Sequence, residues 1–281
     1  MSEEAMMRPT ESEAVQRHYT VPDLGDVILR GLKAAGKSTE AFSPDDLSPI
    51  DQFHTLGRQS TLELLRLAEL RPEMRVVDVG GGLGGPARTL ATEVGCHVMV
   101  LDLSEEFCRV GEMLTERTGL AGRVSFRQGN ATAQPFADRS FDAAWTQHSS
   151  MNIADKERLD AEIHRVLRPG GRLALYEVMA GPGGEPHYPT PWASTPVISF
   201  LRPPEEIRRL LQETGFHELV WRDVTNEARD GVARQMAAAT SQASPLGLHL
   251  VMPNFREAAA NHVRNLQEGR LTVIQAVLER P

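Results

Sequence analysis

A chain of 281 residues with 30 Lys and Arg against 38 Asp and Glu carries a formal charge of −8, and its hydrophobic and charged fractions, 41% and 24%, match ordinary globular proteins. That length allows one or two domains and a core that needs no staples. No apolar run nears the roughly 18 residues of a bilayer span, since the best stretches, Val98–Leu101 and Leu173–Tyr176, are strand-sized, and no Lys/Arg-rich block suits nucleic acid. Neither a membrane nor a nucleic acid is an expected partner. The segment Met1 to Ala14 holds four Glu and no apolar stretch, which excludes a secretory signal and reads as a disordered tail of a cytoplasmic protein. Cys96 and Cys108, without a CxxC or a histidine cluster, indicate neither a disulfide nor a metal site.

In chain order, residues 15–70 read as a helical amino-terminal lid, with Leu62, Leu64, Leu65, Leu67, Ala68 and Leu70 on a 3.6-residue stripe and Ser60 or Thr61 as its cap. The period then changes. Arg75–Val79 is a β-branched run closed by the glycines of Gly80–Gly85, and a helix over Pro86–Glu93 follows. A strand over His97–Leu101 ends at Asp102 and leads into a helix over Glu105–Thr118. Strands at Val124–Gln128 and Phe141–Thr146, a helix at Lys156–Leu167, and a strand at Arg172–Val178 behind a Pro169-Gly170-Gly171 turn complete the alternation. Each parallel crossover needs a helix to carry the chain back, so the expected fold is α/β, a doubly wound sheet with helices on both faces.

Residues 181–205 are rich in Gly and Pro and follow the fifth strand, where an insertion overhangs the ligand crevice. They read as a substrate cover. A helix over Pro203–Thr214, a strand over His217–Val224, helices over Ala228–Ala239 and Phe255–Gln267, and a strand over Arg270–Leu278 close the chain, the last two strands forming an antiparallel edge. The expected units are therefore a tail (1–14), a lid (15–70), a core (71–225) and a carboxy-terminal helical cap with the last strand (226–281).

The loop from Asp78 to Gly85 satisfies both GxGxxG, at Gly80, Gly82 and Gly85, and DxGxGxG, at Asp78, Gly80, Gly82 and Gly84. Either pattern puts a ribose-binding acid about 20 residues on, a position that Asp102 fills. A turn that binds nothing is the bland alternative, and so many glycines are costly in chain entropy without a ligand to approach. Asp78 discriminates between ligands. A carboxylate there opposes a pyrophosphate but suits a ligand carrying an ammonium and a sulfonium.

Together with Leu101-Asp102-Leu103-Ser104, Gly129-Asn130-Ala131, Pro135-Phe136, Ser140-Phe141-Asp142 and Leu167-Arg168-Pro169-Gly170-Gly171, this loop resembles the class I S-adenosylmethionine-dependent methyltransferases over residues 50–225. The resemblance implies a Rossmann-like, mostly parallel seven-stranded sheet with an antiparallel last strand, and S-adenosylmethionine as cofactor. It also implies roles. Gly80, Gly82 and Gly84 approach the methionyl part, near Asp78; Asp102 holds the ribose, Leu103 lies beside the adenine, and Asn130 accepts from the adenine amino group through its side-chain oxygen. Ala131 offers its N–H to the ring, and Gln147 holds the amino-acid end.

A narrower likeness, through Asp51-Gln52-Phe53-His54, Gly84–Arg88, Thr146-Gln147, Met151–Lys156 and Pro189–Ala193, is similar to the sarcosine/dimethylglycine N-methyltransferase group. It implies a small polar acceptor, an amine nitrogen first. An O-, S- or C-methyltransferase of a natural product or quinone is the alternative, and a scaffold that binds the cofactor without turnover the second. His54, His148 and Tyr188 are the catalytic candidates, with Trp192 beside Tyr188 as an aromatic cage and Glu177 near the crevice. Each also has a packing role as its plain reading. His148-Ser149-Ser150-Met151 places no clear base, which weighs against an oxygen acceptor; no metal is implied, and a homodimer is an assembly the sequence allows.

Overall fold

The computed structural model describes residues 10–239, 244–252 and 254–281. Four helices come first: α1 (Glu11–Tyr19), α2 (Leu24–Ala34), α3 (Pro44–Asp51) and α4 (Arg58–Ala68). Then strands and helices alternate as β1 (Arg75–Val79), α5 (Gly85–Glu93), β2 (His97–Asp102), α6 (Glu105–Arg117), β3 (Val124–Gln128), β4 (Phe141–Gln147), α7 (Lys156–Val166) and β5 (Leu167–Ala180). After α8 (Pro204–Glu213) and β6 (His217–Asp223) come α9 (Thr225–Ala239), α10 (Phe255–Gln267) and β7 (Leu271–Glu279).

The seven strands form one sheet in the order β3-β2-β1-β4-β5-β7-β6. Pairs among β1 to β5 are parallel, whereas β7 runs antiparallel to both β5 and β6. The expected antiparallel edge is present: β7 pairs along its whole length with β5 and from Ile274 to Glu279 with β6, and β6 is the outer strand. Burial explains the insertion, because seven of the nine residues of β7 are buried while β6 has none. A strand apolar on both faces belongs inside a sheet.

Successive residues send side chains to opposite faces, as a pleated strand requires. Val76, Ala143, Ala174 and Val277 pack with Leu64 and Leu90, while Val77, Ala144, Leu175 and Ala276 pack with Leu159, Ile163 and Leu211. A third cluster joins the lid to α6 through Leu24, Ile28, Leu47, Ile50, Phe107 and Val110. This cluster seats the lid over the carboxyl ends of the strands.

Three local expectations change. Thr10–Ala14 are not tail: Thr10 caps α1 in a reciprocal capping box with Glu13, while residues 1–9 lie outside the described residues. Ser60 and Thr61 do not cap α4, which starts after Gly57, and their buried hydroxyls bond inward instead. Pro169-Gly170-Gly171 belongs to β5, whose register with β4 shifts between Phe141 and Ala143 to accommodate it.

Candidate active site

A cleft at the carboxyl ends of β1, β2 and β4 is lined by Asp78, Gly80, Gly81, Gly82, Asp102, Leu103, Asn130, Ala131 and Gln147, with Gln16, Tyr19, Asp51 and Phe53 contributed by the lid. That is the position where an open α/β sheet binds ligands. Gly80 turns at φ +72°, and a Cβ on it would stand 2.4 Å from Ser149 Cβ. Gly84 departs from expectation: it is not among the cleft-lining residues, and its role is to admit Phe126, whose ring would lie 2.7 Å from a Cβ there.

Asp102 receives the Gly82 N–H on Oδ2 at 2.9 Å and the Ser104 N–H on Oδ1 at 2.8 Å, which orients both oxygens and leaves each with further accepting capacity. Burial pushes its carboxyl up from the ordinary range. Asp78 is raised to about 8, first by burial and then by the facing charge of Asp102. Asn130 corrects the sequence reading. Its Oδ1 closes a turn on the Thr132 N–H and hydroxyl, each at 2.9 Å, so the oxygen expected for an adenine amino group is already engaged.

Gln147 is fixed by its neighbours. The Trp145 indole N–H and the Thr61 hydroxyl both donate to Oε1, at 2.7 and 3.1 Å, so Nε2 turns away and is left buried without a partner. Asp78 Oδ2 is buried and unpartnered as well. S-adenosylmethionine offers a carboxylate to the first atom and cationic centres to the second, and Asp102 suits its ribose. The residues present fit the cofactor that the resemblance implies.

A second, larger cavity of about 1050 Å³ adjoins this cleft, sharing Tyr19, Phe53, His54 and His148 with it. Its walls are Met151, Trp192, Val232, Leu246, Leu248, Met252, Phe255 and Ala259, with Thr55 and His262 as buried polar members. Among the described residues Arg256 is the one Lys, Arg, Asp or Glu in its lining. No local sequence pattern marks this chamber, because its wall joins the lid, the core, the 181–205 cover and the cap.

His54 and His148 therefore stand where cleft and chamber meet. His54 Nε2 lies 2.9 Å from the Gly57 carbonyl, which only accepts, so Nε2 carries the proton and Nδ1 presents a lone pair. Burial lowers the ring to about 4, keeping it neutral. His148, at φ +51°, donates from Nδ1 to the Tyr176 carbonyl at 3.0 Å and receives the Thr55 hydroxyl on Nε2 at 2.8 Å. Burial again depresses its basicity.

Tyr188 is not among the residues lining either cavity. The cover is tied down by Gly181 and Gly183, whose amides donate to Arg270 and Gly269, and by His187, bonded to Asn265. That anchoring packs Tyr188 against the core, while Pro191 and Trp192 reach the chamber wall. Glu177 lines neither cavity. It accepts the Thr146 hydroxyl and the Ser149 and Ser150 amides, holding the loop that carries His148.

Residues 77–175 match the sequence family described as "Methyltransferase domain". The chain is 28% identical over 178 residues to a glycine/sarcosine/dimethylglycine N-methyltransferase of Actinopolyspora halophila, an alignment covering 63% of this chain and 32% of that protein. An O-methyltransferase of Pyrenophora dematioidea is 27% identical across 82% of this chain and 84% of its own length. The chain spans 32%, 32% and 48% of the first three curated relatives it matches. Among solved structures, phosphoethanolamine N-methyltransferase 2 of Haemonchus contortus, in complex with S-adenosylmethionine, superposes with a TM-score of 0.74 at 18% identity, covering 98% of this chain and 61% of that one. Residues 77–175 are thus similar to a methyltransferase domain, and the sheet has the Rossmann-like fold seen in S-adenosylmethionine-bound methyltransferase structures.

Proposed function

We propose that the protein transfers a methyl group from S-adenosylmethionine to the hydroxyl oxygen of a mid-sized, largely apolar small molecule of the natural-product or quinone kind. The chamber carries this reading. Its 1050 Å³ sits at the upper end of drug-sized ligand sites, roughly 300–1,000 Å³, and would leave a sarcosine-sized molecule without contacts on most sides. Among the described residues the lining also holds no carboxylate to receive an ammonium group.

When bound, S-adenosylmethionine supplies an activated methyl group, so the chain's own task is to position the acceptor, exclude water and receive a proton. Methylation makes a hydroxyl oxygen strongly acidic, and a neutral imidazole with a pKa near 4 is basic enough to take its proton. His54 Nδ1 is the lone pair at the junction suited to that task. A methylated amine keeps its proton against such a weak base. This restores the oxygen reading that the His148-Ser149 loop had weakened, with the base on the lid instead of after β4.

The amine reading retains one specific support, the similarity to the glycine/sarcosine/dimethylglycine N-methyltransferase. A panel decides between them. The protein is incubated with S-adenosylmethionine and either naphthols, prenyl alcohols and hydroquinones or sarcosine and dimethylglycine, reading S-adenosylhomocysteine. Turnover with the hydroxylated apolar compounds is expected. Turnover confined to the amines would overturn the proposal, and cofactor binding without turnover on any compound would favour a scaffold.

A further inference from the structure

Four residues distant in sequence form a hydrogen-bonded line that runs from the buried Tyr176 carbonyl to the chamber wall, and the direction of every bond in it is fixed from that end. The Tyr176 carbonyl only accepts, so His148 Nδ1 carries a proton and Nε2 is bare. Thr55 donates to that bare nitrogen from both its amide, at 3.3 Å, and its hydroxyl, at 2.8 Å. The hydroxyl has one proton, now committed. His262 Nε2, 3.1 Å from the same oxygen, must therefore donate to it, which leaves His262 Nδ1 as a bare lone pair.

That lone pair is unmatched. His262 is 6% exposed and lines the chamber, and its Nδ1 is buried with no hydrogen-bond partner. Burial holds the ring near a pKa of about 4, so it is neutral and an acceptor at physiological pH. A buried acceptor without a donor is costly, on the order of 1–3 kcal/mol, and buried polar atoms left open in this way call for an explanation. Trp192 stands edge-on to the ring with centroids 6.0 Å apart, and its indole N–H is already given to the Ser199 hydroxyl, so it offers no substitute.

We propose that His262 Nδ1 is a specificity subsite that accepts a hydrogen bond from a hydroxyl of the acceptor, with Thr55 as the positioning residue that sets its tautomer. This rests on the reading of the cavity as the acceptor chamber. The ligand class it selects is an apolar compound bearing a donor group. Compounds offering only ether or ketone oxygens would meet the lone pair with another lone pair. Sites built around a buried hydrogen bond reject analogues that lack it far better than they reject a change in size.

The test uses 1-naphthol, which donates, and 1-methoxynaphthalene, which only accepts, with binding read by calorimetry and the His262 imidazole nitrogens followed by ¹⁵N NMR. The parent protein should show His262 as the Nε2–H tautomer, bind the naphthol about tenfold more tightly, and move the Nδ1 resonance with naphthol alone. His262→Phe should bind both compounds alike, and so should Thr55→Val, which frees the ring without removing it. Retained melting temperature and S-adenosylmethionine binding report that each variant is folded. Equal affinity for the two probes in the parent protein, an Nδ1–H tautomer, or a naphthol preference that survives in both variants overturns the subsite. Binding of neither probe overturns the chamber reading itself.

Discussion

Arg88 Nη2 lies 2.7 Å from Asp51 Oδ2, and both side chains are out of solvent. The pair joins the end of α3, in the lid, to α5, directly behind the glycine loop. Arg88 also donates to the Thr115 hydroxyl at 2.9 Å, so one guanidinium ties the lid to two helices of the core. Arg88→Met leaves the Asp51 carboxylate buried and alone, and should cost roughly 3–5 kcal/mol of unfolding free energy. Because Asp51 lines the cleft, affinity for S-adenosylmethionine should fall with it. A urea titration measures the first effect, and a loss below about 1 kcal/mol, the scale of an exposed pair, would show that the lid is held by other contacts.

Asp78 yields a prediction about protons. With its carboxyl raised to about 8 by burial and by Asp102, the acid is mostly neutral at pH 7. A cationic cofactor beside it favours the ionised form, so binding should expel a proton near neutrality and tighten as pH rises toward 8. Calorimetry in buffers of different ionisation enthalpy counts that proton. A binding enthalpy that is the same in every buffer would contradict it.

These sites differ in how far the sequence reveals them. Asp78, the glycines and Asp102 form a contiguous signal, because a strand that ends in a tight turn under a ligand must spell out its turn chemistry locally. The alternation of β1 to β5 is legible for the same reason, each strand ending in its own punctuation. The place of β7 is not: its apolar run says that it is buried, and only the packing of α9 and α10 decides between which neighbours. Thr10-x-x-Glu13 was a readable capping box, hidden by the acidic composition around it. Thr55 and His262 carry no pattern at all, since 207 positions separate them and nothing but the tertiary fold brings them together.

The buried histidines also set an acid limit. His54 and His262 titrate near 4 in the folded protein, both through burial, and near 6.5 when exposed. Between those values the unfolded chain binds more protons than the folded one, so stability falls as pH drops from about 6.5 to 4, with roughly 3 kcal/mol attached to each ring. Denaturation midpoints along that range should decline, and His262→Phe should flatten the decline. A midpoint that stays level from pH 6.5 to 4.5 would mean that these rings are not held neutral.

The pH dependence of turnover separates an oxygen acceptor from a nitrogen one. If His54 Nδ1 receives the proton of a hydroxyl, the required state is the neutral ring, already complete above about pH 5 given its pKa near 4. With S-adenosylmethionine saturating at every pH and a panel substrate whose hydroxyl does not ionise in the range, kcat/KM for the acceptor should be level from pH 5.5 to 8 and fall only on the acid side. An amine acceptor predicts the opposite slope, rising about tenfold per pH unit below the amine's own pKa as the free lone pair appears. His54→Gln keeps a polar side chain but no imidazole, and should lower kcat by roughly 10²–10⁴ with KM little changed if the ring is the base. Were His54 only a packing residue, the variant would lose stability and cofactor affinity while kcat for bound substrate stayed within a few-fold. A steadily rising profile that His54→Gln does not alter would return the assignment to an amine.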